Sequence, residues 1–244
     1  MIEKILEQLN IPKVCKKSRA IHKKDILNNF SLSSSDKKIL SSSVESIRLE
    51  YVLNKNTINI NPFIDEDRKY LEINFIKIKI SNIDKLKQIS NIIQNIPKPL
   101  VLFFMYENSI CINISPKRIN KNDSTKLVVE DTYFTKWIDL ENISSLEQNF
   151  FNSIAIQNHP YTDFLSFYNS YLDKIVAFNA SEHSGNLIAN ENTKATLDEI
   201  ASCEIKITEI RNKIKKETIF SDKVNMNIEL KKFNDKFKNL KNSL

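Results

Sequence analysis

The chain has 244 residues, 41% hydrophobic and 27% charged, with a net charge of +6. This is enough for one sizeable core plus an appendage, and no stretch approaches the roughly 18 consecutive apolar residues of a membrane span. Glycine occurs once, at Gly185. Dinucleotide-binding and Walker-type phosphate loops need several glycines for close backbone approach, so both are excluded.

In chain order, MIEKILEQLN opens as a short amphipathic segment containing acids, unlike a secretion signal, and a cytoplasmic protein is expected. Lys13, Lys16, Lys17, Arg19, Lys23 and Lys24 follow without an intervening acid. Such a run suits phosphate contact, although lysine faces also serve simply to keep a surface soluble. SSSDKKILSSS (33–43) reads as a serine-capped short helix. SIRLEYVL (46–53) alternates Ile47, Leu49, Tyr51 and Leu53 as a strand, and a turn at Asn54–Asn56 into TINI (57–60) suggests a hairpin. Beyond the acidic loop Asp65–Asp67, residues 70–80 form another strand. There Leu71, Ile73 and Phe75 give way to Ile76, Ile78 and Ile80, predicting a bulge or a change of face.

A helix is expected over 82–95, with Ile83, Leu86, Ile89, Ile92 and Ile93 on one side, ended by Pro97 and Pro99. PLVLFFMY (99–106) is almost wholly apolar, as a central strand would be, and Glu107-Asn108 turns it into SICINIS (109–115). Strand, helix and strand in succession favour a crossover and a partly parallel sheet. Extended structure recurs over 126–138, and helices over 143–156 and 162–178. The fold class is therefore α+β, a mixed sheet flanked by helices. We divide the chain into a domain at 1–178, a polar linker at 179–195 and a helical tail at 196–244.

The tail carries two apolar series. Ile200, Cys203, Ile207, Ile210 and Ile214 form the first; Met226, Leu230, Phe233, Phe237 and Leu240 form the second. The heptad phase of the first would continue through Val224 and Ile228, so the phase shifts near Phe220-Ser221-Asp222, where Ser221 or Asp222 could cap a new helix. Either the helix breaks and folds back, or one long helix offers two stripes to two neighbours. Residues 206–241 hold eleven Lys or Arg against five Asp or Glu, leaving the rest of the chain balanced at 25 of each. Met226, Leu230, Phe233, Phe237 and Leu240 are the candidate partner-binding residues, for another protein or a second copy of the chain.

Chemistry-bearing clusters are few. Cys15, Cys111 and Cys203 lie far apart, and His22, His159 and His183 have no ligand spacing with them, so no metal or disulfide framework is expected. No nucleophilic triad is visible and no catalytic residue is assigned. The segment Pro116–Asp123 places Lys117, Arg118 and Lys121 beside amides and the Ser124 hydroxyl. Tyr133, Phe134, Lys136 and Trp137 follow, a combination suited to nucleic acid or, more plainly, to a hairpin beside core aromatics.

The stretches ESIRLEYVLNKNTINI (45–60), PLVLFFMYENSICINISPKRINKNDSTKLVVEDTYFTKW (99–137) and KIKKETIFSDKVNMNIELKKF (213–233), with IPK at 11–13, resemble the bacterial family catalogued as domain of unknown function 4391. The resemblance covers nearly the whole chain. It implies a cytoplasmic bacterial protein that accompanies a helicase or DNA methyltransferase of a restriction or phage-defence system. It implies an accessory role and carries no active site with it.

The element order is also that of a restriction-endonuclease-like core, in which an Asp/Glu-x-Lys strand and a further Asp hold a divalent metal. Here the strand would supply Glu72-Ile73-Asn74, with asparagine in the lysine position, while Glu45 and Lys77 would have to complete the site. Only this alternative, a divergent metal-dependent nuclease, calls for a cofactor, Mg. The first expectation is a non-catalytic accessory protein that docks a partner through its tail and contacts DNA through its basic regions.

Overall fold

A computed structural model describes residues 2–184, 187 and 192–243. Its elements are, in order, α1 (Ile2–Gln8), β1 (Lys16–Ala20), α2 (Lys23–Asn29), α3 (Ser34–Ser43), β2 (Val44–Asn54), β3 (Phe63–Ile64), β4 (Lys69–Tyr70) and β5 (Glu72–Ile80). Then come α4 (Leu86–Gln94), β6 (Leu100–Tyr106), β7 (Ser109–Ile114), β8 (Lys117–Asn120), β9 (Asp123–Val129), β10 (Tyr133–Phe134) and β11 (Ile138–Asp139). Four helices end the chain: α5 (Ser145–Ser153), α6 (Phe164–Ser184), α7 (Thr193–Lys216) and α8 (Phe220–Asn242). The chain forms two compact units, Met1–Ile175 and Val176–Leu244.

The first unit is built on a seven-stranded mixed sheet in the order β1-β2-β5-β6-β7-β10, with β11 also pairing β7. Only β5 and β6 are parallel, joined through α4 as the strand–helix–strand pattern predicts. α3 is capped by the Ser33 hydroxyl, which accepts from the Asp36 N–H, and α5 by a reciprocal Ser144/Glu147 capping box. Both sheet faces are covered. Ile47, Leu49, Ile76, Ile78, Ile80, Leu102 and Phe104 meet α2, α3 and α4 on one side. Ile73, Phe75 and Phe103 point to the other, where Phe75 lies edge-on to Tyr171 of α6 at 5.7 Å. There Tyr168 donates its hydroxyl to the carbonyls of Leu100 and Ser115.

That two-sided burial explains the irregular apolar pattern of β5. Successive residues serve opposite faces, and the β5–β6 register runs unbroken from Asn74↔Leu100 to Lys79↔Met105. The bulges lie in β2 instead, between Val44 and Ser46 and between Leu49 and Tyr51. The expected hairpin of TINI with the preceding strand does not form. The Thr57 hydroxyl donates to the Val52 and Asn54 carbonyls and accepts from the Asn54 N–H, turning the chain off the sheet. Ile58 and Ile60 are buried beyond that turn. β2 pairs with β5 and with β1, an edge strand that KKSRA, lacking apolar alternation, did not announce.

In the second unit α6 continues to Ser184, so residues 179–184 of the expected linker are helical; Gly185 lies outside the described residues. The tail breaks between Lys216 and Phe220. Neither Ser221 nor Asp222 is the cap. The Glu217 carboxylate accepts the N–H groups of Thr218 and Ile219, at 2.7 and 2.9 Å, ahead of α8. Among the described residues no helix is long and apolar enough to cross a membrane.

Candidate nucleic-acid interface

β1 carries the basic run along the rim of the sheet. Its register jumps from Lys16↔Tyr51 to Arg19↔Leu49, so a bulge sits at Lys17-Ser18. Ser18 adopts φ 46°, an unusual conformation for a residue with a Cβ. Two contacts hold it: its hydroxyl donates to Glu50 Oε2 at 3.2 Å, and its carbonyl accepts from the Arg48 guanidinium at 2.6 Å. Lys16, Lys17 and Arg19 on β1, Lys13 ahead of it and Lys24 in α2 are exposed. Among the described residues none of these five is ion-paired.

Two other lysines of the sequence-based set have different work. Lys23 donates its ammonium to the carbonyls of Ser41, at 3.1 Å, and Val44, at the C-terminal end of α3. Lys117 is 1% exposed, and its Nζ donates to the carbonyls of Gln94, Ile96 and Lys98, each at 2.7 Å, where α4 ends. Both neutralise orphan carbonyls at the negative pole of a helix. Burial also pushes the Lys117 ammonium down to about 7, so it is not a solvated, fully charged phosphate ligand. Lys117 is therefore a structural residue.

Pro116–Asp123 is not an open loop. It contains β8 and the turn of its hairpin with β9. Arg118 is half-buried and donates to the Ile119 carbonyl at 3.3 Å, while Lys121 is exposed at the tip. The side chain of Ser124 lies outside the described residues. The downstream aromatics pack inward: Trp137 lies edge-on to Tyr106 at 6.3 Å, and Phe134 faces Phe104 at 6.5 Å.

The residues of the nuclease alternative are not brought together. Glu72 and Lys77, five positions apart on β5, lie on opposite faces of the sheet. Glu45 pairs with Lys79 at 2.7 Å near the far end of β5, and Glu72 pairs with Lys98 at 3.3 Å. Lys77 pairs with Glu50 at 3.2 Å and Glu3 at 3.0 Å. Among the described residues no group of three or more His, Cys, Asp or Glu is placed to hold a metal ion.

A cavity of about 530 Å³ opens between β1, α2 and the turn after α4. Leu49, Asn74 and Ile76 line it from the sheet, Ile96 and Lys98 from that turn, and Arg19 and Asp25 from the β1–α2 side. The Glu72–Lys98 pair also lines a smaller neighbouring cavity of about 130 Å³ that reaches Lys69 and Leu127. Sequence reasoning weighed Asn74 only as a missing lysine. The available signal was its phase: it precedes Ile76, Ile78 and Ile80 on a face that is otherwise aliphatic.

Residues 9–237 match the family model described as Domain of unknown function (DUF4391). The chain belongs to that family. The match spans the whole sheet, the basic edge, the cavity and most of α8. No curated protein and no solved structure matches the chain.

The family match also takes in the tail, where α7 packs along α8 and Glu199 pairs with Lys236 at 2.9 Å. Ile200, Cys203, Ile207 and Ile210 are buried on α7. Met226, Leu230, Phe233, Phe237 and Leu240 are half-buried on α8. Val224 and Ile228, on the alternative phase, are 41% and 53% exposed. The tail thus folds back as a hairpin, and the five candidate docking residues lie on its half-buried seam rather than on a free face.

Proposed function

We propose that this protein is a non-catalytic accessory subunit of a bacterial DNA-defence system of restriction-modification type, acting in the cytoplasm beside a helicase or DNA methyltransferase and contacting DNA through the β1 edge. The observation that carries the DNA contact is the group of five exposed cations, Lys13, Lys16, Lys17, Arg19 and Lys24, that have no ion-pair partner among the described residues. Unpaired cations on one rim suit a phosphate backbone, whereas cations already committed to carboxylates do not. The tail hairpin is the docking element in this reading, used for the enzyme partner or for a second copy of the chain. The nuclease alternative has less support, because Glu45, Glu72 and Lys77 do not converge.

Fluorescence anisotropy with a labelled duplex, run across a salt series, tests the DNA contact. Each phosphate neutralised adds about −0.9 to the slope of log affinity against log salt, so five contacts predict about −4 to −5. The double variant Lys16→Glu/Lys17→Glu is expected to flatten that slope. Binding without salt dependence, or unchanged in the variant, would sink the reading. Capture of a helicase or methyltransferase from a nuclease-treated lysate of the native host, lost when 196–244 is deleted, is the corresponding test of docking.

A further inference from the structure

The cavity beside Arg19 holds a feature that neither the basic edge nor the tail accounts for. Asn74 is 9% exposed, lines the cavity, and its Oδ1 has no hydrogen-bond partner. A buried amide left unpaired costs free energy that an aliphatic side chain, continuing the face of Ile76, Ile78 and Ile80, would avoid. The fold itself has no use for an amide there, but a ligand does.

The surroundings narrow the class of ligand. Leu49, Ile76 and Ile96 offer aliphatic surface to the faces of a flat ring. The Asn74 side chain presents a donor and an acceptor in one plane, the arrangement that matches the amino and N7 positions of adenine. Arg19, at the same cavity, is a guanidinium with no ion pair among the described residues, and its planar fork suits a phosphate. The Asp25 carboxylate is an acceptor on the same side, facing ligand hydroxyls. The volume falls within the roughly 300–1,000 Å³ of small-molecule sites.

We propose that this cavity binds an adenine nucleotide, with the Asn74 amide on the base edge and Arg19 on the phosphate. The site goes beyond duplex contact along β1 and stands or falls separately from it. No glycine loop is needed, because a side chain, not a row of backbone N–H groups, meets the phosphate.

Calorimetric titration of the full-length protein with adenosine 5′-monophosphate tests this, with adenosine, uridine 5′-monophosphate, inorganic phosphate and a short oligo-dA strand as parallel arms. Saturable binding of the adenine nucleotide is expected, about tenfold tighter than that of the uridine nucleotide. Asn74→Leu is expected to weaken it about tenfold while the thermal midpoint stays level or rises, since the unpaired amide is gone. Arg19→Ala, an exposed change that leaves the fold intact, is expected to weaken the nucleotide more than adenosine. Tighter binding of oligo-dA assigns the base to a strand, and equal binding assigns it to a free nucleotide; either supports the site. Absence of binding by both adenine ligands overturns it. So does phosphate alone matching the nucleotide, or unchanged nucleotide affinity in Arg19→Ala or Asn74→Leu.

Discussion

The ammonium of Lys117, on β8, lies 2.7 Å from the carbonyl oxygen of Gln94, the last residue of α4. The same nitrogen collects the carbonyls of Ile96 and Lys98. One buried side chain therefore closes the helix and fixes the turn that leads into the central strand β6. Lys117→Met removes the donors and strands three acceptors, and should lower unfolding stability by about 2–4 kcal/mol. Chemical denaturation measures this. A destabilisation below about 0.5 kcal/mol would show that water replaces the ammonium without loss.

The two ion pairs at opposite ends of the β2–β5 pairing should behave differently. Glu50 is buried, and its carboxylate meets Lys77 at 3.2 Å, Arg48 at 3.4 Å and the Ser18 hydroxyl. Lys77→Met leaves a buried charge short of a cation and should cost about 3 kcal/mol, much of it recovered in Lys77→Met/Glu50→Met. Lys79 and Glu45 are both exposed, so Lys79→Met should change stability by no more than about 0.5 kcal/mol. Equal losses in the two single variants would contradict this ranking.

His159 makes the fold sensitive to acid. Its ring stacks on Tyr171 at 4.1 Å, and its Nδ1 meets the Ser170 hydroxyl at 3.1 Å. Burial, reinforced by the nearby Lys174 charge, pushes the imidazole down to about 3 from an ordinary 6.5. Between these values the unfolded chain takes up a proton that the folded chain refuses, so stability is full above pH 6.5 and falls as pH drops toward 3. The loss from this group should reach about 2 kcal/mol at pH 5. His159→Gln should flatten that part of the stability–pH curve, and an unchanged slope between pH 6.5 and 5 would remove His159 as its source.

In the tail, the half-buried seam and the exposed phase should separate on substitution. Phe233→Ala should destabilise the hairpin by about 1–2 kcal/mol, read as an earlier loss of helical circular dichroism on heating. Val224→Asp and Ile228→Asp, on exposed positions, should leave that transition within about 0.5 kcal/mol. If the exposed pair proved the more damaging, the apolar phase of α8 would be the opposite of the one described.

What could be read from the sequence divides along physical lines. β6 and α4 were legible because an unbroken apolar run and a 3.6-residue stripe are each set by local burial. The tail break was legible as a phase shift, but its cap was not, because Glu217 acts from outside the new helix. The Asn54–Thr57 turn hid the true partner of β2, since strand pairing depends on which segment returns to the edge, not on alternation alone. Lys117 and Lys23 looked like surface cations. Nothing local distinguishes a solvated lysine from one whose tip reaches a carbonyl 20 residues away. Asn74 was visible as a residue, but its isolation in an aliphatic face emerged only with the sheet register.

The bulged strand β1 has a consequence for how the molecule meets its neighbours. Its outer side ends the sheet, where unpaired backbone groups would otherwise invite another chain to extend the ladder. Lysines and arginine along that rim, together with the kink at Ser18, repel such an addition between like molecules. The same charges that draw in an anionic polymer thus keep copies of this chain from polymerising edge to edge. Reversing them to acids would preserve that protection, whereas neutralising them to aliphatic residues would open a route to aggregation.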